Sequence, residues 1–477
     1  MSIRQLMAGT ESESVKYRPY INTGGPLDIL NGKFIPTIGG SWALSGGQGL
    51  TTAFIGGPNT FKSVCNNGTM VNGLARFPDS SGFLKDSEFS VDIGRLPQFS
   101  SLYLDEPEKR EIHLKDIASR LKVYDPTTPE AESLDTWFDF AKSIRDEKIK
   151  HFKDYEVETE ILDPDTMKPY RMMLPTFMGI DSWTEAAVAQ LNLKNEEIDA
   201  DTEMSKQRTI FMEEGWKKAM LMRQLPKICA QGGIYCCLTG HMGKKFSIDG
   251  KPVKKDMTYM GQDETTKAMG TKFPFLMSTI FKIDKAAAMT YDGDRSQSQY
   301  PSKEGVGSTE LQQLMITMIR SKNAPSGGQT QMVSSQRFGV MNGLSYYNYL
   351  RENKYYGLGN PKTVRNPLLE NIDIGRTKIF EQSKDYKTMR ALELTYQLFV
   401  IQSTWTLMNQ PVDYSISIEM FSEKLHKSGY AVDDILNSRG WWTYKGAKVE
   451  REFITLPDIL MILNGTYKPK FLSVNGT

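Results

Sequence analysis

Apolar positions fall along the chain in short blocks separated by glycines and charged runs, and the blocks predict strands alternating with helices. Residues 53–55 form an apolar run that reads as a buried strand, broken at Gly56 and Gly57. A helix is predicted over 64–76, then a turn at 78–82 and a short strand from Phe83 into Asp86. Further apolar strands are predicted at 177–181, 234–241, 275–283 and 314–319. Helical periodicity covers 203–229, with Ile210, Phe211, Trp216, Met220 and Met222 as its apolar positions, and recurs at 389–408 and 456–463. Residues 106–165 interleave lysine with glutamate and read as helical and solvated. Residues 185–202 read as a polar loop, and 242–272 as a longer one rich in lysine and glycine. Such alternation predicts an α/β fold with a twisted, mostly parallel sheet flanked by helices.

The first strand leads into the most informative chemistry. Gly56, Gly57, Pro58, Asn59, Thr60 and Phe61 make a glycine-led loop, and Lys62-Ser63 opens the next helix. Strand, loop, Lys-Ser and helix together are the physical form of a phosphate-binding loop, because backbone N–H groups and the helix dipole point at an anion there. Lys62 would reach the outer phosphates of ATP, and the Ser63 hydroxyl would ligate Mg²⁺. Phe61 stands where the usual pattern has a second glycine. The alternative is an ordinary turn containing Lys-Ser.

Three other residues end strands. Glu88 follows the strand after the loop's helix, where a carboxylate is placed to hold and activate water; otherwise it is a solvated strand-end acid. Asp181 ends an apolar strand, as an aspartate that supports Mg²⁺ does; the alternative is an ordinary strand-end aspartate, common in α/β folds. His241 ends the strand at 234–241, and its alternative is a histidine satisfied by backbone. In the loop beyond it, Lys244, Lys245, Lys254, Lys255, Lys267 and Lys272 suit a segment that tracks a nucleic-acid backbone; the alternative is a solvated insertion.

Composition adds limits. A length of 477 residues suggests several units, and 39% apolar residues supply a sizeable core. The net charge of +1 excludes nothing, since nucleic-acid binding needs only a local basic patch. Cys65, Cys229, Cys236 and Cys237 have no C-x-x-C spacing and read as buried free thiols of a reducing compartment. No signal-peptide core or membrane-length apolar run is present, so a cytoplasmic protein is expected, without a membrane partner.

Taken in order, these motifs resemble the RecA-type recombinase family, its T-even phage strand-exchange branch above all. That branch also carries Phe before Lys-Ser. Asp86-Ser87-Glu88-Phe89 matches its Asp-Ser-Glu-Phe motif, 26 residues after Lys62. Ile180-Asp181-Ser182, Thr239-Gly240-His241, Arg320-x-Lys322-Asn323 and the segment from Gly440 to Lys448 are similar to family segments in the same order. The likeness covers 35–345 and 421–450, and Glu88 to Asp181 is longer than in the family.

The resemblance implies a RecA-like P-loop ATPase core that uses ATP and Mg²⁺, with Glu88 as catalytic base and His241 sensing the γ-phosphate. It implies that Arg320 and Lys322 reach a neighbouring copy's ATP. It also implies single-stranded DNA and homologous duplex as partners, a homo-oligomer that is a helical filament or a ring, and single-strand-binding and mediator proteins. The expected division is an N-terminal arm at 1–34, a core at 35–345, an insertion at 346–420, the end of the core at 421–450 and a tail at 451–477. Two other readings stay open: a hexameric RecA-fold replicative helicase, and a RecA-like mediator or scaffold. The Trp441-Trp442 pair reads as core packing rather than a base-stacking platform.

Overall fold

The computed structural model describes residues 17–472 apart from 103–105, 190–203, 246–254, 268, 271, 293, 304, 306, 357–361, 370–371, 405–410 and 470. The expectations for residues 1–16, for most of the polar loop at 185–202 and for Lys254 lie outside the described residues.

A ten-stranded sheet organises the chain. In chain order its strands are β1 (Thr51–Gly56), β2 (Ser81–Asp86), β3 (Leu121–Tyr124), β4 (Thr176–Asp181), β5 (Ile234–Lys244), β6 (Glu264–Thr266), β7 (Thr279–Ala288), β8 (Leu311–Ser321), β9 (Gln329–Ser335) and β10 (Gly339–Val340). Their spatial order is β10-β9-β8-β7-β1-β5-β4-β2-β3, with β6 paired to β5. From β7 to β3 all neighbours run parallel. The strands β8, β9 and β10 close the other edge antiparallel.

Helices cover both faces, as a parallel sheet requires. Helix α1 (Lys62–Arg76) lies on one face, where Val71 and Leu74 share a core with Phe177 and Tyr235. Gly73 lets it approach β4: a Cβ there would meet the Phe177 ring at 2.2 Å. The other face is covered by α3 (Leu134–Lys150) and α4 (Met204–Gly232), whose Trp137, Phe138, Leu221 and Ile228 pack with Ala53, Ile55, Ile180 and Leu238. Helix α2 (Pro107–Arg120) leads directly into β3.

A second core holds α5 (Asn342–Glu352), α6 (Tyr386–Thr404) and α7 (Leu456–Leu463), together with Phe34 and Leu44 from before the sheet. Trp442 is buried edge-on against Phe77, as core packing.

Several sequence expectations change. Residues 106–165 are not helical throughout: β3 and a hairpin of Glu156–Leu162 with Pro169–Met173 lie among their helices and extend past them. The interleaved charges hide these strands, whose apolar contacts come from scattered residues such as Leu121, Val157, Ile161 and Tyr170. The lysine-rich stretch 242–272 is not a loop throughout. Strand β5 continues to Lys244 and β6 returns against it, so that Thr266 faces Met242. The strand expected from Phe275 starts at Thr279, after a short helix, Phe273–Leu276. Of the apolar positions of the helix expected at 203–229, Met222 is buried while Trp216 and Met220 are exposed. All four cysteines are free and buried.

Candidate functional site

Residues 57–61 link the end of β1 to α1, and their conformation is set locally. Asn59 and Phe61 both have positive φ, and Phe61 (φ 62°, ψ 27°) is the left-handed residue on which α1 begins. That backbone favours glycine, which is why a phenylalanine there hides the pattern from the sequence. The Thr60 hydroxyl donates to the Gly57 carbonyl at 2.9 Å, and the Lys62 ammonium donates to the same oxygen at 2.6 Å. Gly56 is required by a close approach: a Cβ there would lie 2.6 Å from Thr60 Oγ1 and 3.0 Å from the Ile283 carbonyl.

The C-terminal ends of β2, β4 and β5 face the same end of the sheet as this loop. In register, Asp86 stands beside Asp181, and His241 beside Gly56. Buried Asp86 accepts the backbone N–H groups of Glu88 (3.1 Å) and Val91 (2.8 Å), and this turn holds Glu88. Glu88 Oε1 then lies 3.5 Å from His241 Nε2.

Asp181 is 1% exposed. Its Oδ1 accepts the Thr239 hydroxyl at 2.7 Å, while its Oδ2 is buried without a hydrogen-bond partner. Burial pushes this carboxyl above its ordinary value; the Thr239 and Ser63 hydroxyls oppose that, and Glu88 and Asp86 add to it. Burial also holds the Lys62 ammonium below its ordinary value, against the attraction of Asp181 and Glu88. An unpartnered buried carboxylate oxygen beside a serine hydroxyl fits a hard divalent cation. Among the described residues no group of three or more His, Cys, Asp or Glu could hold a metal ion.

Lys62, Ser63, Glu88, Asp181 and His241 therefore meet at one end of the sheet. Arg320 and Lys322 do not join them. Arg320 pairs in register with Ile280, and Ile280 with Ala53, three residues short of Gly56 or ~10 Å along the strand. The Arg320 guanidinium lies over the Phe275 ring at 5.5 Å, and its Nε is buried without a partner. Burial, and then Arg320, hold Lys322 below its ordinary value.

The lysines are dispersed. Lys244 pairs with Asp263 at 3.7 Å, Lys245 pairs with Asp256, and Lys255 and Lys272 are exposed. The Lys267 backbone N–H donates to the His241 carbonyl at 2.9 Å. Sequence reasoning missed Thr239 and Thr184, whose Oγ1 accepts the His241 N–H at 2.9 Å. It also missed buried Lys282, which bridges Glu264 (2.7 Å) and Asp284 (2.8 Å) and ties the β5–β6 hairpin to β7. A lone polar residue in an apolar strand was the available signal for Thr239 and Lys282. Thr184 carried none.

The fold and site define a mixed α/β protein with a large, mostly parallel sheet and a glycine-led loop at the C-terminal end of a central strand. No protein-family model and no curated protein matches the chain. Among solved structures, the RadB recombinase is similar at a TM-score of 0.33 and 13% identity, over 62% of this chain and 92% of that one. Among the described residues no helix is long and apolar enough to cross a membrane.

Proposed function

We propose that the chain is an ATP-dependent DNA recombinase of the RecA type, nearest in its motifs to the T-even phage strand-exchange protein UvsX. One observation carries the reading: Lys62, Ser63, Glu88, Asp181 and His241, scattered over 180 positions of sequence, converge at the ends of adjacent parallel strands. Lys62 and the loop 56–63 would bind the phosphates of ATP. Ser63 and Asp181 would hold Mg²⁺, which supplies positive charge against the phosphates. Glu88 would orient the attacking water and accept its proton, with His241 beside it reporting the γ-phosphate to the β5–β6 hairpin.

Arg320 and Lys322 stand too far along the sheet for their own loop, which favours action on a neighbouring copy and hence an oligomer. Trans-acting cations of this kind contribute ~10³-fold or more. Lys244, Lys245, Lys254, Lys255, Lys267 and Lys272 would follow the phosphates of single-stranded DNA, and base pairing with a homologous duplex would supply specificity. Single-strand-binding and mediator proteins would be its partners, and a host cytoplasm its setting. The division at 34, 345, 420 and 450 belongs to the same proposal.

Electron microscopy of the protein with single-stranded DNA and a slowly hydrolysed ATP analogue tests the reading. An open helical filament, absent in Lys62→Ala, is expected. Closed six-fold rings would favour the helicase, and no assembly with intact ATP turnover would mean that the insertions block assembly and the core serves another task.

A further inference from the structure

Helix α4 presents two unlike faces. Met212, Trp216 and Met220 recur every four residues and are exposed. Lys218, between them in sequence, points inward and its side chain is 1% exposed. Its ammonium donates to the Thr184 carbonyl at 2.8 Å and pairs with Glu214 Oε1 at 2.8 Å. A buried ammonium is tolerated only where such partners meet it, so the contact to Thr184 resists loosening.

Thr184 sits on the turn that follows β4. Its Oγ1 accepts the His241 N–H at 2.9 Å. The neighbouring Trp183 N–H donates to the Thr239 carbonyl at 3.0 Å, and the Thr239 hydroxyl donates to Asp181. His241 Nε2 in turn lies 3.5 Å from Glu88. One charged side chain thus links a long helix to the turn that holds the His241 backbone, and His241 lies against Glu88.

We propose that Lys218 is a positioning residue that couples α4 to the catalytic end of the sheet. A single-stranded nucleic acid that stacks a base on exposed Trp216 and meets Arg223, whose guanidinium lies 3.7 Å from Met220 Sδ on the same face, would shift the helix. Lys218 carries that shift to Thr184, and Thr184 adjusts His241 against Glu88. The inference rests on the ATPase reading above and adds a regulatory route to that site.

The test is ATP turnover of the full chain with and without single-stranded oligothymidylate, comparing wild type with Lys218→Met, Lys218→Arg and Thr184→Val. In Lys218→Met the oligonucleotide-stimulated kcat should fall about tenfold while KM for ATP stays within about threefold. Lys218→Arg should restore part of the loss, and Thr184→Val should reproduce it. Stimulated kcat within about threefold of wild type, or a parallel rise in KM, would overturn the proposal. If Lys218→Met fails to fold, Thr184→Val decides on the same criteria, because it disturbs no buried charge. Absence of turnover in wild type would instead sink the ATPase reading, and this inference with it.

Discussion

The two ends of the central sheet use the same strands and solve opposite problems. Where β1 begins, polar groups close on one another. The Ser278 N–H donates to Thr51 Oγ1 at 2.9 Å, the Tyr20 hydroxyl to the Ser278 carbonyl at 3.1 Å, and the Asn323 amide to the carbonyls of Asn31 (2.8 Å) and Ser45 (2.6 Å). Where β1 ends, Asp181 Oδ2 and Ser87 Oγ are buried without partners, Lys62 is desolvated and Phe61 is left-handed. Buried polar groups are normally satisfied, and what sets the open end apart is that its unpartnered oxygen belongs to a carboxylate near a desolvated ammonium, Lys62. The closed end has exceptions of its own among the described residues, including Gln48 Oε1, Asn22 Oδ1 and Arg320 Nε.

The sharpest way to break this contrast is at the open end. Glu88→Gln should lower ATP turnover by ~10²–10⁴-fold while leaving nucleotide binding intact, read by steady-state kinetics beside equilibrium binding. Lys62→Ala should lose the binding itself. Equal, small losses in both variants would mean that the open end is only an irregular strand edge.

Toward the closed end the largest effect should be on stability. Asp28 accepts the backbone N–H groups of Thr23 and Gly24, both at 2.6 Å, and burial pushes its carboxyl from 3.8 up to about 6. A carboxyl raised on folding contributes stability that is complete below its unfolded value and lost as pH rises through its folded value. This group should cost about 3 kcal/mol between pH ~4 and ~7. Denaturant titrations across that window should show the slope in wild type, and a flatter one in Asp28→Asn. Identical slopes would remove Asp28 from the account.

Smaller effects sharpen the comparison. Removing Lys244 or Lys267 should reduce the slope of log affinity for single-stranded DNA against log salt by ~0.7 each, measured by fluorescence titration. Phe61→Gly should relieve ~1 kcal/mol of left-handed strain but lose the ring's packing beside Phe54 and Cys65. A melting temperature near that of wild type with ATP binding retained is therefore expected. Lost binding would give the ring a direct role.

Strands β1 and β4 and the first seven residues of β5 were legible in the sequence because each is a buried, largely apolar run broken by a chemical residue. Gly56 ends one such run, Asp181 another, and His241 interrupts a third that continues to Lys244. The antiparallel return of β6 was not legible, because Glu264-Thr265-Thr266 is short, polar and only half-buried. Strand β3 was hidden by Lys122 among its four residues. The exposure of Trp216 depends on which face of α4 meets the sheet, which periodicity does not settle once apolar residues ring the helix. Thr184 and Lys218 act through hydrogen bonds between elements distant in sequence, and no local pattern encodes those.

The most direct test of the central claim is ATP hydrolysis by the purified chain with and without single-stranded DNA, with Lys62→Ala as control. Turnover that rises with DNA and vanishes in Lys62→Ala is the predicted result. Turnover that is absent, or that survives in Lys62→Ala, would contradict the assignment of the open end of the sheet to nucleotide chemistry.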